Sequence, residues 1–285
     1  MYYLLLCILV AGTFFFCTSS PCLAQSSTAL MGARGQAMGN ATACLADEWS
    51  VLNNIAGIAG TTKSALAISY DALPSLPAFR KIAVSATRPG IVACGVALYR
   101  FGDAGYHEQI VTAGAATKWS HTQVGMKVNY ITYAADGLGS KSVWSLSMGG
   151  VTELLSWLKV GAHIANINQP WLSKQFDERL PTILTAGLLF TLEQQVIVTT
   201  EVEKRINDVA TGRVGLEFII HKKFTGRLGF QINPQALCGG FGFRMKGFKV
   251  DYSIVYVQSL GMRHQVSLCF APRFSSTNNQ LTKAQ

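Results

Sequence analysis

The stretch FTGRLGFQIN, residues 224–233, alternates between apolar and polar side chains along its length. One side carries the apolar residues Phe224, Leu228, Phe230 and Ile232. The other side carries the polar residues Thr225, Arg227, Gln231 and Asn233. Because the side chains of a β-strand alternate between two faces with a period of two, this stretch predicts a strand with one apolar and one polar face.

The alternation continues on both sides of this stretch. Toward the C-terminus it recurs in residues 237–246, 248–256 and 262–270, which are separated by short turns. Toward the N-terminus it recurs in ten candidate strands: 64–70, 80–88, 91–101, 106–119, 122–134, 141–152, 157–168, 181–192, 194–206 and 211–221. Such a series predicts an antiparallel meander of about fourteen strands, each near the length that a tilted transmembrane strand needs.

Composition indicates what surrounds the strands. Of the 285 residues, 49% are apolar and 14% are charged, which is fewer charges than a soluble domain usually carries. The one long apolar run is at the start, from Leu4 to Phe16. A lipid-like apolar face, a polar face rich in Gly, Ser and Thr, and an even strand count predict an all-β, up-and-down transmembrane barrel. The alternative is a secreted soluble β-sandwich that acts as a binding protein, because such sandwiches also alternate.

Tight turns and longer loops follow one another along the chain. Residues 120–121 and 246–247 are tight turns, whereas 71–79 and 168–180 are long loops. If both ends of the barrel lie in the periplasm, the tight turns face the periplasm and the longer loops face outward, as in outer-membrane barrels. The predicted location is therefore the outer membrane of a bacterial cell.

The two ends of the chain differ from its middle. Residues 1–24 combine an apolar stretch with small residues at a cleavage site, which predicts a secretory signal peptide. A retained membrane anchor and a lipoprotein are the alternatives. Residues 25–63 lack the strand period, 64–270 form the predicted barrel, and 271–285 are a polar tail that we expect to hang free.

The chain is basic, with 24 Lys and Arg against 15 Asp and Glu and a net charge of +9. In a soluble protein this excess would suggest nucleic acid as a partner. The basic residues contain no run, however, and are scattered singly along apolar-alternating segments. A water-facing inner wall, or lipid phosphates at the rims of a barrel, accounts for this scatter, and we expect no nucleic-acid partner.

Motifs for catalysis or metal binding are missing from the sequence. The four cysteines outside the predicted signal peptide, Cys44, Cys94, Cys238 and Cys269, form no C-x-x-C, so they predict free thiols, with Cys94 facing lipid and the last two facing inward. Neither H-E-x-x-H nor G-x-S-x-G occurs. We therefore expect no enzyme activity, no metal and no cofactor.

The segment between the predicted signal peptide and the first strand resembles a known family. Its residues 32–34 read GAR, 38–41 read MGNA, 45–48 read LADE and 54–58 read NIAGI. These positions are similar to the mature N-terminus of the FadL-like outer-membrane barrels, especially the PorV/PorQ branch of Bacteroidetes, although Ile55 stands where that family has proline. Three C-terminal stretches are also similar to the family: GRVGLEF at 212–218, GFGFRMKGFKVDYSIVY at 240–256, and Leu260-Gly261 with His264.

The resemblance implies a fourteen-stranded barrel whose N-terminal segment folds into the lumen as a hatch. Its FadL-like part implies transport or binding of small hydrophobic compounds. Its PorV/PorQ part implies an accessory or docking barrel of type IX protein secretion. The expected partners are outer-membrane lipid, the barrel-assembly machinery, and either hydrophobic small molecules or secretion-system proteins.

Physical chemistry favours the same place for the N-terminal segment. An irregular backbone cannot face lipid, because its unpaired N–H and C=O groups would find no partners there. The segment therefore lies inside the barrel as a hatch, or outside the membrane as a periplasmic tail. Its candidate hatch residues are Arg34, Asp47, Glu48, Asn54 and Gly57.

The inward faces of the predicted strands supply the surroundings. The early strands present small residues that leave room for a plug: Ala83, Ser85, Ala93, Gly95, Ala97, Gly114 and Ala116. The late strands present the candidate wall residues Glu201, Glu203, Arg213, Glu217, Arg227, Arg244, Lys249, Asp251 and Arg263. We expect Glu217 to pair with Arg34, and the wall arginines 213, 227 and 244 to pair with Asp47 and Glu48. The mixed charges otherwise predict a self-satisfied wall, or an ion or ligand path.

Overall fold

The computed structural model describes residues 29–272 except 138, 174–176, 194 and 207. The predicted signal peptide and all but the first two residues of the predicted tail lie outside the described residues. The strands are β1 Ala65–Ala72, β2 Lys81–Arg88, β3 Val92–Gly102, β4 Tyr106–Trp119, β5 Thr122–Ala135, β6 Gly139–Leu155, β7 Leu158–Ala165, β8 Trp171–Ser173, β9 Glu178–Arg179, β10 Ile183–Leu192, β11 Val196–Arg205, β12 Thr211–His221, β13 Phe224–Ile232, β14 Ala236–Met245, β15 Phe248–Val257 and β16 Gly261–Phe270.

Fourteen of these strands form one closed antiparallel barrel, and β8 and β9 form a small separate hairpin. Each barrel strand pairs with the next one along the chain, and β1 closes the ring against β16. The predicted all-β, up-and-down barrel and its strand count are confirmed. The β-sandwich alternative is wrong, because a single sheet closes on itself instead of stacking on a second sheet.

The two faces of the strands have opposite character. Leu228 on the outer face of β13 is 58% exposed, whereas its neighbour Arg227 is 6% exposed and faces inward. This arrangement is typical of a barrel that meets lipid outside and encloses polar groups. Trp119 and Trp144 are exposed on the outer face, as expected for an aromatic girdle. Tyr99 of β3 is 2% exposed and faces the lumen instead.

The two ends of the barrel differ in their connections. Tight turns at 120–121, 222–223 and 246–247 lie at one end, called here the turn end. The opposite end, called the loop end, carries longer connections such as 73–80 and 166–182. Because the strand number is even, β1 begins and β16 finishes at the turn end.

Residues 29–61, called here the inner segment, pack against the inner wall. The segment contains the short helix α1 (Ala33–Ala37) and a 3₁₀ helix (Ile55–Gly60). Helix α1 contacts β13–β16, whereas the 3₁₀ helix contacts β3–β6 on the opposite side of the barrel. The inner segment therefore crosses the lumen. No helix among the described residues is long and apolar enough to span a membrane.

The apolar core lies between the inner segment and the early strands. Trp49 is 1% exposed and, with Val51, Ile55 and Ile58, belongs to a cluster that includes Ala83, Ala93, Ala97 and Ala116 of the wall. Small side chains on the wall leave the volume that these larger side chains fill, which keeps the interior close-packed. The four described cysteines are free, with Cys94 exposed and Cys44, Cys238 and Cys269 buried.

Candidate functional site

The inner segment rests on a ring of wall glycines. A Cβ atom added to any of them would come within 3.1 Å of the inner segment; these glycines are Gly95, Gly114, Gly125, Gly149, Gly161, Gly187, Gly215, Gly229 and Gly240. The strand register places most of them in directly opposed pairs, such as Gly161 with Gly187 and Gly215 with Gly229. We call this ring the glycine belt. It lets the backbone of the inner segment approach the wall more closely than side chains would allow.

Arg34 ties helix α1 to the wall. Its Nε and Nη2 donate to the two carboxylate oxygens of Glu217 at 2.9 and 2.7 Å, and its Nη1 lies 3.5 Å from Asp47. A bidentate arginine–carboxylate pair fixes geometry as well as charge. Glu217 is thus the wall residue that meets Arg34, as the sequence analysis expected.

The partners expected for Asp47 and Glu48 were wrong. Asp47 pairs with Arg34 of its own segment, and Glu48 pairs with Lys249 of β15 at 2.6 Å. The wall arginines are engaged elsewhere: Arg227 donates to Glu217 at 2.6 Å and to Asp251 at 2.7 Å. These residues make one connected group, called here the turn-end network: Arg34, Asp47, Glu48, Glu217, Arg227, Lys249 and Asp251.

A second ionic group lies nearer the loop end. Arg213 of β12 donates to Glu201 at 2.5 Å and to Glu203 at 2.8 Å, and Arg205 lies 3.6 Å from Glu203. The other oxygen of Glu201 accepts the backbone N–H groups of Thr42 and Ala43, each at 2.7 Å. Glu201 therefore anchors the middle of the inner segment, a role that strand alternation alone did not reveal.

Asn54 and Gly57 shape the second half of the inner segment. The Asn54 side chain accepts the N–H of Ala56 at the start of the 3₁₀ helix and donates to the carbonyl of Ala43 at 2.6 Å. A Cβ on Gly57 would lie 2.6 Å from Oγ of Ser50. Both residues are buried. Asn54 also donates to the wall carbonyls of Gly150 at 3.4 Å and Ala162 at 3.3 Å, so it holds the segment to the wall as well as to itself.

Lys127 of β5 was not singled out by the sequence analysis. Its ammonium donates to three successive carbonyls of the inner segment: Val51 at 3.3 Å, Leu52, and Asn53 at 3.2 Å. The available signal was a lone lysine on the inward face of a strand that is otherwise uncharged. Buried charges need such partners, so Lys127 fastens the segment to the early wall.

Arg263 and Arg244 differ from the other wall residues. Arg263 pairs with Asp71 of β1 at 3.2 Å, and Asp71 also accepts from the side chain of Gln36 in helix α1 at 2.9 Å. Arg244 is exposed, because it precedes the last residue of β14 at the turn end. Arg244 faces inward opposite Lys249, as predicted for a wall residue, but the expected pairing of Arg244 with Asp47 or Glu48 was wrong.

Burial and neighbouring charges shift the pKa values of two charged groups in the inner segment, Asp47 and Arg34. Burial, and after it the neighbouring charge of Glu48, raises the pKa of the Asp47 carboxyl, while Arg34 and Lys249 oppose this shift. Burial alone would lower the pKa of Arg34, but Glu217 and Asp47 outweigh it and raise that pKa above its ordinary value. Arg34 therefore stays charged, whereas burial disfavours the charged form of Asp47.

Two cavities lie on opposite sides of the inner segment. The loop-end cavity has a volume of about 40 Å³, within about 600 Å³ of empty space that includes its open mouth, and its lining includes the apolar residues Leu30, Leu52, Ile110 and Ile131. The lining also includes polar groups, among them His163, which is 8% exposed. Nε2 of that histidine has no hydrogen-bond partner among the described residues. The turn-end cavity, about 120 Å³ in volume within about 560 Å³ of empty space counted in the same way, lies beside the turn-end network.

Comparisons with known proteins find the fold but no sequence relative. No family model and no curated protein matches this chain. The monoaromatic hydrocarbon channel CymD superposes with a TM-score of 0.68 over 85% of this chain and 98% of its own, at 13% identity. The toluene transporter TodX of P. putida gives 0.67 over 86% and 99%, at 11% identity. A FadL homologue of Pseudomonas aeruginosa gives 0.59 over 84% and 97%, at 10% identity.

These similarities concern the fold. The fold of this barrel is similar to that of these three structures, with the strand number and closure described above. The resemblance to the PorV/PorQ branch and to Bacteroidetes stays a prediction.

Proposed function

We propose that this chain is an outer-membrane barrel that binds and passes small hydrophobic compounds, with the inner segment as its hatch. The loop-end cavity carries the proposal, because it offers an apolar surface between the inner segment and the wall. Ligand sites of this kind combine apolar lining with a few placed polar groups, which His163 and Asn129 supply here. The fold shared with structures named as a monoaromatic hydrocarbon channel and a toluene transporter supports the same ligand class.

The location can be tested before the ligand. We expect the full chain in the outer-membrane fraction, with a gel mobility that changes on boiling, because a closed hydrogen-bonded ladder resists detergent until it is heated. Recovery in the soluble periplasm without a mobility shift would contradict the proposal.

Filling the loop-end cavity should weaken ligand binding. Ala165 of β7 is buried and lines this cavity, whereas Ala162 of the same strand is exposed on the outer face. We expect Ala165→Phe to weaken binding several-fold and Ala162→Phe to leave it unchanged. The measurement is a ¹⁹F NMR titration of the purified barrel with a fluorinated monoaromatic compound. Saturable binding that both variants share would place the ligand elsewhere, and no saturable binding by the unmodified protein would reject this ligand class.

Removing most of the inner segment should open the barrel. The segment crosses the lumen between the two cavities, so deletion of residues 32–53 is expected to increase the entry of a small hydrophobic dye into cells, once barrel assembly has been confirmed by heat-modifiable mobility. Unchanged entry, together with protease cleavage of this segment in the intact protein, would identify it as a tail.

The secretion-docking role remains the second proposal. It predicts a protein partner rather than a small ligand, so it is distinguished by what co-purifies from detergent-solubilised outer membrane. Stoichiometric recovery of a secreted or secretion-system protein, with no saturable binding of the monoaromatic compound, would favour docking over transport.

A further inference from the structure

The turn-end cavity has an excess of positive charge. Two carboxylates, Glu217 and Asp251, line it, and the six basic side chains of its lining are Arg34, Lys222, Lys223, Arg227, Arg244 and Lys249. Asp47 and Glu48 lie behind this lining and pair with Arg34 and Lys249. Even when these two acids are counted, six basic groups face four acidic groups.

The carboxylates of this cavity are already occupied. Glu217 receives three donors, from Arg34 and Arg227, and Asp251 receives Arg227 at 2.7 Å and Lys249 at 3.4 Å. The excess charge therefore resides in Lys222, Lys223 and Arg244, none of which makes an ion pair with a described residue.

The strand register brings these groups together. Arg244 lies directly opposite Lys249 on the inward face of the β14–β15 pair. Lys249 has Glu48 and Asp251 beside it, so Arg244 is the member of this pair that has no acidic partner among the described residues. The backbone N–H of Arg244 donates to the carbonyl of Lys223 at 2.8 Å, which fixes the end of β14 against the β12–β13 turn. The three cations thus border one concave opening rather than a flat rim.

We propose that the turn-end cavity is a binding site for an oxyanion, a phosphate or carboxylate group, held by Arg244 with Lys222 and Lys223. The guanidinium of Arg244 presents a planar pair of donors that matches such a group, and Thr225 lines the same opening with a hydroxyl. This site lies on the other side of the inner segment from the loop-end cavity and does not depend on what that cavity binds. The group can come from a free solute or from the headgroup of an anionic lipid.

Two titrations distinguish these sources. In the first, the purified full chain in uncharged detergent is titrated with inorganic phosphate at low ionic strength and followed by calorimetry. In the second, the chain is reconstituted in phosphatidylcholine nanodiscs with increasing fractions of phosphatidylglycerol, and the amount of anionic lipid bound to the protein is measured by native mass spectrometry. Arg244→Gln and the pair Lys222→Gln with Lys223→Gln are compared with Lys141→Gln, an exposed lysine at the loop end.

Saturable binding in either titration, weakened about tenfold by Arg244→Gln and unchanged by Lys141→Gln, is the expected result, because an ionised donor contributes more than a neutral one. Added salt should weaken binding, since exposed charges are screened. Saturation with inorganic phosphate would identify a free solute as the source of the anion, and saturation with phosphatidylglycerol would identify a lipid headgroup. Absence of saturation in both, or equal weakening by Arg244→Gln and Lys141→Gln, would overturn the proposal. Arg244 is exposed, so its replacement is expected to leave barrel assembly intact, which heat-modifiable mobility checks.

Discussion

Replacing Arg227 by methionine is expected to lower the free energy of unfolding by about 3–5 kcal/mol, the cost of breaking a buried ion pair. Arg227 is 6% exposed and bridges Glu217 and Asp251 through hydrogen bonds of 2.6 and 2.7 Å. Without it, the turn-end network holds four carboxylates and only two basic groups in a buried place. The midpoint of urea unfolding, followed by tryptophan fluorescence in lipid vesicles, measures the loss.

Two further variants separate charge imbalance from lost packing. Arg244→Met removes an arginine from the same end of the wall, but from an exposed position without an ion pair, so it should change stability by no more than about 0.5 kcal/mol. Combining Arg227→Met with Glu217→Gln and Asp251→Asn leaves Arg34 with Asp47 and Lys249 with Glu48. This combination should recover most of the loss. Equal destabilisation by Arg227→Met and Arg244→Met would mean that the network contributes little to stability.

The barrel was predictable because strand alternation is a local property of the sequence. The bounds of each predicted strand lie within three residues of the observed ones. The interval 157–168 was predicted too long at its end, since β7 stops at Ala165. Asn166 takes a left-handed backbone conformation with φ 58°, and its side chain donates to the carbonyl of Pro181. Such local turn chemistry ends a strand without changing its hydrophobic pattern.

The contacts of the inner segment were predictable only in part. Burial of a charge demands an opposite charge, which made Glu217 a reasonable partner for Arg34. The same argument chose arginines for Asp47 and Glu48, yet Glu48 meets Lys249. Charge alone does not decide which of several wall cations pairs with a given carboxylate. The pairing depends on the height of each wall residue along the barrel axis and on the path of the inner segment across the lumen.

The glycine belt was invisible to strand-by-strand reasoning for a related reason. A single glycine in a strand indicates only a position where the strand is locally less stable. Their common role appears when the register opposes Gly161 with Gly187 and Gly215 with Gly229, and when the inner segment lies on them. The strand register of a closed barrel places residues that are far apart in sequence opposite each other. The alternation within single strands does not reveal which glycines are opposed.

The substitution Gly229→Val is therefore expected to displace the inner segment while sparing the barrel. A Cβ at this position would meet the backbone of Ala37, Met38 and Gly39 and no atom of a neighbouring strand among its three nearest contacts. Valine itself suits a strand, so the wall should tolerate it. Overpacking costs about 1–3 kcal/mol, and if that cost falls on docking of the segment, its displaced population rises roughly 5- to 150-fold. Limited proteolysis within 32–53, and dye entry into cells, measure the displacement.

The matched control is Gly239→Val on the neighbouring strand. Gly239 faces outward, and the nearest atom to a Cβ there is in the side chain of Leu228, at an ordinary contact distance of 3.8 Å. Both variants remove a glycine from a strand and add the same side chain, so they differ in whether that side chain meets the inner segment. Faster cleavage and greater dye entry in Gly229→Val alone, with heat-modifiable mobility kept in both, is the expected result. If the two variants behave alike, close contact with the glycine belt is not what holds the segment in the lumen, and the ionic contacts of Arg34, Glu48 and Glu201 become the better explanation.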